Sequence, residues 1–219
     1  MSGFKDEKPI ILKLGLNKAA IAQEANCLHA FAKHGAPDVI ANEPGMVLME
    51  RATPGTTLKT YFPNQEKQAT DIFCQSIQRL HSSSIPRQHN FQYLKSLLLV
   101  LDEDVNIPAN QLSTARQLRD NLLSSTNKTV LLHGDLHHEN ILKNDNGWLV
   151  IDPKGFIGDP AFDVCAFIHN PIPELLEQTK PIDLINQRVN ACAEQLDFST
   201  QRIQDWLYVK SILGWIWCL

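Results

Sequence analysis

The chain has 219 residues, 43% of them hydrophobic and 20% charged, which is ordinary for a globular protein. A formal net charge of −4, without any lysine- or arginine-rich run, argues against nucleic acid or an anionic membrane as a partner. The five cysteines lack a C-x-x-C pair, the start lacks a signal-peptide pattern and the apolar runs are too short to cross a bilayer, so we expect reduced thiols and a cytoplasmic location.

The first predicted elements are a strand and a helix. The apolar run PIILKLG, which ends at Gly15, predicts a buried strand with Lys13 near its end. Asn17 is a candidate N-cap for the helix that follows, and Gly35 is the candidate residue just after its C-terminus. Glu24 falls on the apolar side of this helix, where a carboxylate needs a partner. Lys13 is the candidate partner, and a position at the edge of the stripe with access to solvent is the alternative.

A boundary between two parts of the chain is predicted near residue 53. Met46–Met49 predicts an apolar strand, and the residues after it, through Pro54 and Gly55, have the composition of a connection. The apolar spacing beyond this connection is mainly helical, so we divide the chain into 1–52 and 53–219. The helical positions are Ala69, Phe73, Ile77 and Leu80; Phe91, Leu94, Leu97 and Leu98; Leu112, Ala115, Leu118 and Leu122; and Ile203, Leu207, Lys210 and Leu213.

The stretch HGDLHHENIL, which begins at His133, contains an unusual density of side chains that can bind metal ions or transfer protons. A short strand, Thr129–Leu132, precedes it, and a hairpin with an Asn-, Asp- and Gly-rich turn follows it. His133 and His137 are four residues apart, as in a helical transition-metal site. Gly134 and the preceding strand make a helix there unfavourable, and there is no H-E-x-x-H motif, so a transition-metal site is the weaker interpretation.

A magnesium–nucleotide site accounts for more of these residues. Asp135 and Asn140 lie five residues apart in the loop, and Asp152 ends the second strand of the hairpin. Magnesium prefers hard oxygen ligands and keeps several waters, so one amide and one carboxylate suffice beside nucleotide phosphates. A further carboxylate can orient the proton of an acceptor hydroxyl. Lys13 and Glu24 have the types and the chain order of a phosphate-binding cation and the acid that orients it.

HGDLHHENIL, followed by WLVIDPKGFIGDPAFDVCAFI, resembles the aminoglycoside phosphotransferase family of kinase-like enzymes. The DPKG segment is most similar to the streptomycin 6-kinase and hydroxyurea phosphotransferase branch. The resemblance implies an α+β, two-lobed protein-kinase-like fold with a shortened β-containing N-lobe and a mostly helical C-lobe. It also implies ATP and Mg²⁺ as cofactors and a small-molecule hydroxyl acceptor, a cationic aminoglycoside such as streptomycin.

The resemblance also assigns a role to each matching residue. Asp135 is implied as the catalytic carboxylate. Asn140 and Asp152 are implied as the magnesium ligands. Lys13, paired with Glu24, is implied to contact the α- and β-phosphates. The backbone groups implied to hold adenine are those of Glu50, Arg51 and Ala52.

The start of the chain departs from the family pattern. Only twelve residues, with a single glycine, precede Lys13, which leaves no room for the two-stranded hairpin that covers the phosphates in the family. The sequence leaves three explanations open: a truncated start, a kinase that works without this cover, and a degenerate kinase-like protein with a binding or regulatory role. A kinase for an endogenous metabolite is the alternative to an aminoglycoside kinase.

Other polar residues near the motif have mainly structural predictions. His133 is predicted to fix the loop through hydrogen bonds to backbone groups. Asp159 is a candidate helix N-cap, and with Asp163 it is predicted to hold the loop. His137 and His138 are predicted to face either substrate or solvent. The tryptophans predicted to belong to the core of the last helix are Trp206, Trp215 and Trp217.

Overall fold

The protein, a computed structural model, is described over residues 1–145 and 147–219, and its first part is an antiparallel sheet with one helix. The four strands lie in the order β1-β2-β4-β3. Strand β2 carries Lys13, and helix α1 carries Glu24. The elements are β1 (Ser2–Lys5), β2 (Lys8–Leu14), α1 (Lys18–Ala30), β3 (Val39–Glu43) and β4 (Met46–Glu50).

Strand β1 is an element that the sequence pattern does not predict. It pairs with β2 through a two-residue turn at Asp6 and Glu7, which have φ angles of 50° and 63°. Two adjacent residues with positive φ are typical of the tight hairpin turns that match the twist of the flanking strands. One strand therefore precedes the lysine-bearing strand in this sheet, where the family resemblance implied two.

Helix α1 begins as predicted but ends earlier. The side chain of Asn17 accepts a hydrogen bond from the Ala20 backbone N–H at 3.1 Å, so the predicted N-cap is confirmed. The helix ends at Ala30, so the prediction that Gly35 follows its last residue is wrong. Lys33 and Gly35 adopt φ angles of 67° and 100°, which are incompatible with a continuing right-handed helix.

The second part of the chain is mostly helical and contains two small sheets. One has the strand order β5-β8-β9, and the other has the order β6-β10-β7. Its strands are β5 (Pro54–Thr57), β6 (Gln92–Tyr93), β7 (Val130–Leu132), β8 (Ile141–Asn144), β9 (Gly147–Val150) and β10 (Phe156–Gly158). Its helices are α2 (Glu66–His81), α3 (Leu94–Leu97), α4 (Ala109–Ser124), α5 (Val164–Ile168), α6 (Pro181–Leu196) and α7 (Thr200–Trp217), with short 3₁₀ turns between them.

Two features of this second part correct the sequence predictions. Pro54 and Gly55, predicted to end a connection, instead begin strand β5, because Pro54–Thr57 pairs antiparallel with β8 from far along the chain. Trp206 is fully buried as predicted, but Trp215 and Trp217 are 41% and 59% exposed, so their prediction as core residues is wrong. Trp215 lies on the side of α7 opposite the buried Leu213, and Trp217 is the last residue of that helix.

Two further expectations concern reduced cysteines and apolar segments too short to cross a bilayer. All five cysteines are free thiols, and four of them are buried. Within the described residues, no helix combines the length and the apolar character that crossing a bilayer requires.

Candidate active site

Lys13, Glu24 and Asp152 form a cluster of charges between the first sheet and the second part of the chain. The Nζ atom of Lys13 lies 2.7 Å from Glu24 Oε2 and also contacts Asp152 Oδ1. Glu24 is only 5% exposed, so the predicted pairing with Lys13 is confirmed and the solvent-reaching alternative is wrong. The second carboxylate oxygen of Asp152 accepts a hydrogen bond from Lys154 Nζ at 3.1 Å.

The pKa shifts in this cluster keep Lys13 and Asp152 charged. Burial lowers the pKa of Lys13, but hydrogen bonds with Asp152 and Glu24 outweigh it, and the pKa is raised. Burial raises the pKa of Asp152, but hydrogen bonds from Lys13 and Lys154 outweigh it, and the pKa is lowered. Burial also raises the pKa of Glu24, and the contact with Lys13 offsets this only in part. A lysine cation with fixed position therefore lies beside an ionised Asp152.

Asp163 holds the loop that contains Asp135 through hydrogen bonds to its backbone. The fully buried carboxylate of Asp163 accepts hydrogen bonds from the backbone N–H groups of His133 at 2.8 Å and Gly134 at 2.7 Å. His81 Nε2 contacts the same carboxylate at 3.0 Å. Asp159 accepts a hydrogen bond from the Ala161 N–H at 3.0 Å and caps the 3₁₀ turn that follows. The predictions that Asp163 holds the loop and that Asp159 is an N-cap are thus confirmed. The prediction that Asp159 also holds the loop is wrong, because its carboxylate contacts Arg202 and Trp206 of α7 instead.

His133 fixes the loop through both ring nitrogens. Its Nδ1 accepts a hydrogen bond from the Asp135 backbone N–H at 3.2 Å, which makes Nε2 the protonated nitrogen that donates to the Ile151 carbonyl at 2.9 Å. Burial lowers the pKa of His133 to about 4, so the ring is neutral at pH 7. The loop is thereby tied to the end of strand β9, immediately before Asp152.

Asn140 presents one oxygen that remains available for a metal ion. Its Nδ2 donates to the Asp135 backbone carbonyl at 2.9 Å, which orients Oδ1 away from that carbonyl. Asn140 and Asp152 supply the hard oxygen ligands that suit Mg²⁺. Among residues 1–145 and 147–219, no group of three or more His, Cys, Asp and Glu side chains is placed to hold a metal. Magnesium fits this sparse set, since it keeps waters and phosphate oxygens in its coordination sphere.

One cleft of about 880 Å³ brings most of the sequence-predicted site residues together. Asp135 does not line this cleft, but it adjoins it through its contact with Asn140. The predicted residues that do line it are Lys13, Glu24, Glu50, Arg51, Ala52, Asn140 and Asp152.

The segment Glu50 to Ala52 connects the first sheet to the second part of the chain. The Glu50 N–H donates to the Asp38 carbonyl at 2.9 Å, and the Arg51 N–H donates to the Pro9 carbonyl at 3.1 Å. The N–H of Ala52, by contrast, makes no hydrogen bond to any described residue. This donor in the wall of the cleft can bind a nitrogen acceptor of a planar base.

Three residues for which the sequence pattern predicted no role in the site connect its parts. Gln23 Nε2 donates to the carbonyls of Lys154 at 3.1 Å and Gly155 at 2.8 Å, so α1 is bonded to the loop after Asp152. Lys210 Nζ, from α7, donates to the Gly134 carbonyl at 3.2 Å. Asn144 Oδ1 accepts from the Thr53 N–H at 2.9 Å. Each contact joins segments that are distant in the chain, so a local sequence pattern cannot predict it. Gln23 is the one of the three that could have been suspected, because it is adjacent to the predicted site residue Glu24.

The two adjacent histidines of the motif have different environments. His138 is fully buried and stacks on Phe167 with ring centroids 4.3 Å apart, so the prediction that it faces substrate or solvent is wrong. Burial lowers its pKa to about 2, which keeps this ring neutral. His137 is partly exposed, and its Nε2 lies 3.9 Å from Asp135 Oδ2.

Comparison with known proteins identifies the family. The sequence model described as "Aminoglycoside/hydroxyurea antibiotic resistance kinase" matches residues 4–219. The chain belongs to this family. It is 33% identical over 192 residues to a streptomycin 3''-kinase of Klebsiella pneumoniae, an alignment that covers 84% of this chain and 70% of that protein. It is 23% identical over 218 residues to a streptomycin 6-kinase of Streptomyces glaucescens, with 94% and 70% covered.

Solved structures with the same fold include kinases for different small molecules. The aminoglycoside phosphotransferase APH(3'')-Id from Streptomyces rimosus, in complex with ADP and streptomycin, superimposes with a TM-score of 0.68 at 16% identity, over 94% of this chain and 86% of that one. The choline kinase LicA from Streptococcus pneumoniae superimposes with a TM-score of 0.67 at 17% identity, over 99% and 79%. The predicted two-lobed kinase-like α+β fold is therefore confirmed, with the first sheet and α1 in the N-lobe and the helical part as the C-lobe.

Proposed function

We propose that this protein transfers a phosphoryl group from ATP to a hydroxyl of an aminoglycoside such as streptomycin, with the help of Mg²⁺. Its family makes it a phosphotransferase of the antibiotic-resistance kinase type. The observation that carries the finer proposal is the convergence of Lys13–Glu24, Asn140 and Asp152 on one cleft beside Asp135. We also propose that the two lobes are residues 1–52 and 53–219, so that this cleft would lie at their junction.

The N-lobe residues of this proposal bind and orient the nucleotide. Lys13 would neutralise phosphate charge, and Glu24 would hold its ammonium group in place, since this carboxylate is buried against it. The free N–H of Ala52 would donate to the adenine ring. Binding of this kind positions the phosphates, and positioning together with charge neutralisation provides most of the rate acceleration in phosphoryl transfer.

The C-lobe residues hold the metal and the acceptor. Asn140, through Oδ1, and Asp152 would hold Mg²⁺, which supplies neutralisation of phosphate charge when bound. Asp135 would accept or orient the proton of the acceptor hydroxyl. Its backbone is fixed on both sides by His133 and Asn140, which defines the position of its Cα atom. The names of the streptomycin kinases among the relatives support streptomycin as the acceptor to test, although those relatives phosphorylate different positions.

The test is ATP consumption with a panel of aminoglycosides, comparing the wild type with Asp135→Asn and Asp152→Asn. We expect turnover with streptomycin and a fall in kcat of about a hundredfold or more in the first variant, since a positioned acid or base contributes about 10²–10⁴. The matched control is Asp183→Asn, because Asp183 is 61% exposed at the start of α6 and does not line the cleft. Equal turnover by the wild type and both site variants would refute the assignment.

A kinase-like protein with a binding or regulatory role is the second candidate. Titration with ATP in the presence and absence of Mg²⁺ separates the two functions. Magnesium-dependent binding that Asp152→Asn abolishes supports the kinase. No binding by the folded wild type under either condition would support the second candidate instead. Binding and turnover with sugars or amino alcohols, but not with aminoglycosides, would indicate an endogenous metabolite as acceptor.

A further inference from the structure

The carboxylate of Asp135 lacks the support that its backbone has. Its N–H donates to His133 Nδ1 at 3.2 Å, and its carbonyl accepts from Asn140 Nδ2 at 2.9 Å and from the His137 N–H at 3.0 Å. Its side chain is 40% exposed and accepts no hydrogen bond from the described residues at a comparable distance. A residue that selects one rotamer of this carboxylate would complete the site.

The ring of His137 is the nearest candidate, and its tautomer follows from its neighbours. Nδ1 accepts a hydrogen bond from the Glu139 backbone N–H at 3.2 Å, which caps the 3₁₀ turn His138–Asn140. A backbone N–H can only donate, so Nδ1 bears the lone pair and Nε2 bears the proton of the neutral ring. Nε2 also lies 3.3 Å from Asn140 Nδ2, whose second N–H would need the lone pair on Nε2. We assign the lone pair to Nδ1, because the Glu139 N–H has no other acceptor among the described residues, whereas Asn140 Nδ2 already donates to the Asp135 carbonyl.

The proton on Nε2 therefore has no acceptor at hydrogen-bond distance in the described part of the chain. The closest carboxylate oxygen is Asp135 Oδ2, 3.9 Å away. Both side chains are partly exposed, at 22% for His137 and 40% for Asp135, so a small rotation can close this gap. Catalytic hydrogen bonds are often long without substrate and tighten when it binds.

We propose that His137 is the positioning residue of the site: its Nε2–H donates to Asp135 Oδ2 and leaves Oδ1 for the acceptor hydroxyl. This inference rests on the proposed role of Asp135. The ring acts through Asp135 and does not contact the reacting atoms. The same side chain also caps the turn that carries Asn140, so His137 makes a second, structural contribution that is separate from the orientation of the proposed base.

Two substitutions separate these two contributions. His137→Asn retains an acceptor near the Nδ1 position, and thus the cap, but loses the donor toward Asp135. His137→Gln retains a donor near the Nε2 position but loses the cap. We expect His137→Asn to lower kcat about ten- to a hundredfold with unchanged KM for ATP and acceptor, since a hydrogen bond to a charged group is lost. We expect His137→Gln to keep kcat within about threefold of the wild type.

The matched control is His89→Asn, because His89 is an exposed histidine outside the cleft, and it should leave the kinetics unchanged. A wild-type kcat in folded His137→Asn, or an equal loss in both His137 variants, would overturn the inference. A second readout does not depend on turnover: ¹⁵N NMR of the His137 ring should show protonated Nε2, with a resonance that Asp135→Asn displaces. A proton on Nδ1 would overturn the inference, whereas an inactive wild type with the expected tautomer would overturn only the proposed function.

Discussion

Removal of the Asp163 carboxylate should destabilise the loop that contains Asp135, and the contacts of Asp163 give the size of this effect. The side chain is fully buried and binds two backbone N–H donors at 2.7 and 2.8 Å, with His81 as a third contact at 3.0 Å. A buried donor left without an acceptor costs about 1–3 kcal/mol, and loss of one partner from a buried charged set costs about 3–5 kcal/mol. We therefore expect Asp163→Ala to lower the free energy of unfolding by about 3–5 kcal/mol.

Urea unfolding followed by circular dichroism measures this change. With an m-value of about 1–3 kcal/mol/M, the midpoint should fall by about 1 M or more. Asp163→Asn keeps one acceptor oxygen and should lower the free energy of unfolding by less than Asp163→Ala does. The control is Asp183→Ala, where the same substitution removes an exposed carboxylate 3.8 Å from Lys180 and should change stability by less than about 0.5 kcal/mol. An Asp163→Ala protein as stable as this control would show that the carboxylate does not hold the loop.

Three other outcomes are expected. Gln23→Ala, which removes the bonds from α1 to the loop after Asp152, should raise KM for ATP more than it changes stability; an unchanged KM would contradict this. Arg188→Met, which breaks the buried ion pair with Glu66, should cost about 3–5 kcal/mol in urea titrations. Burial lowers the pKa of His133 and His169 to about 4 in the folded protein. Between pH 6.5 and pH 4, these histidines are therefore neutral when the protein is folded but bind protons when it is unfolded. The free energy of unfolding should fall from pH 6.5 to pH 4 by up to about 1.4 kcal/mol per pH unit for each histidine, and a flat profile would disprove it.

The sequence predicts well those features that depend on residue type and short spacing. Asn17 caps α1, and Asp159 caps the turn after the loop, because each needs only a side-chain oxygen next to free backbone N–H groups. The pairing of Lys13 with Glu24 follows from an acidic residue on an apolar helical face, which must find a cation. The roles of Asp135, Asn140 and Asp152 stay predictions, although the fold brings them to one place.

Features that depend on distant parts of the chain could not be predicted. Pro54–Thr57 becomes a strand only because β8 offers it a partner. His138 looks like its neighbour in sequence, but stacking on Phe167 removes it from the site, and no local pattern distinguishes the two rings. The exposure of Trp215 likewise depends on which helices lie beside α7, because the sequence alone does not show where the packing partners of a helix end.

The sheet β5-β8-β9 has a mechanical consequence. Asn144 anchors the Thr53 backbone to the end of β8, while Asn140 immediately precedes β8 and Asp152 follows β9. The segment proposed to bind the base and the two side chains proposed to bind Mg²⁺ are therefore attached to the same sheet. Lys13 lies on strand β2 of the other sheet, so we expect any movement between the two sheets to change the distance from Lys13 to Asp152 and to leave the distance from Ala52 to Asp152 unchanged.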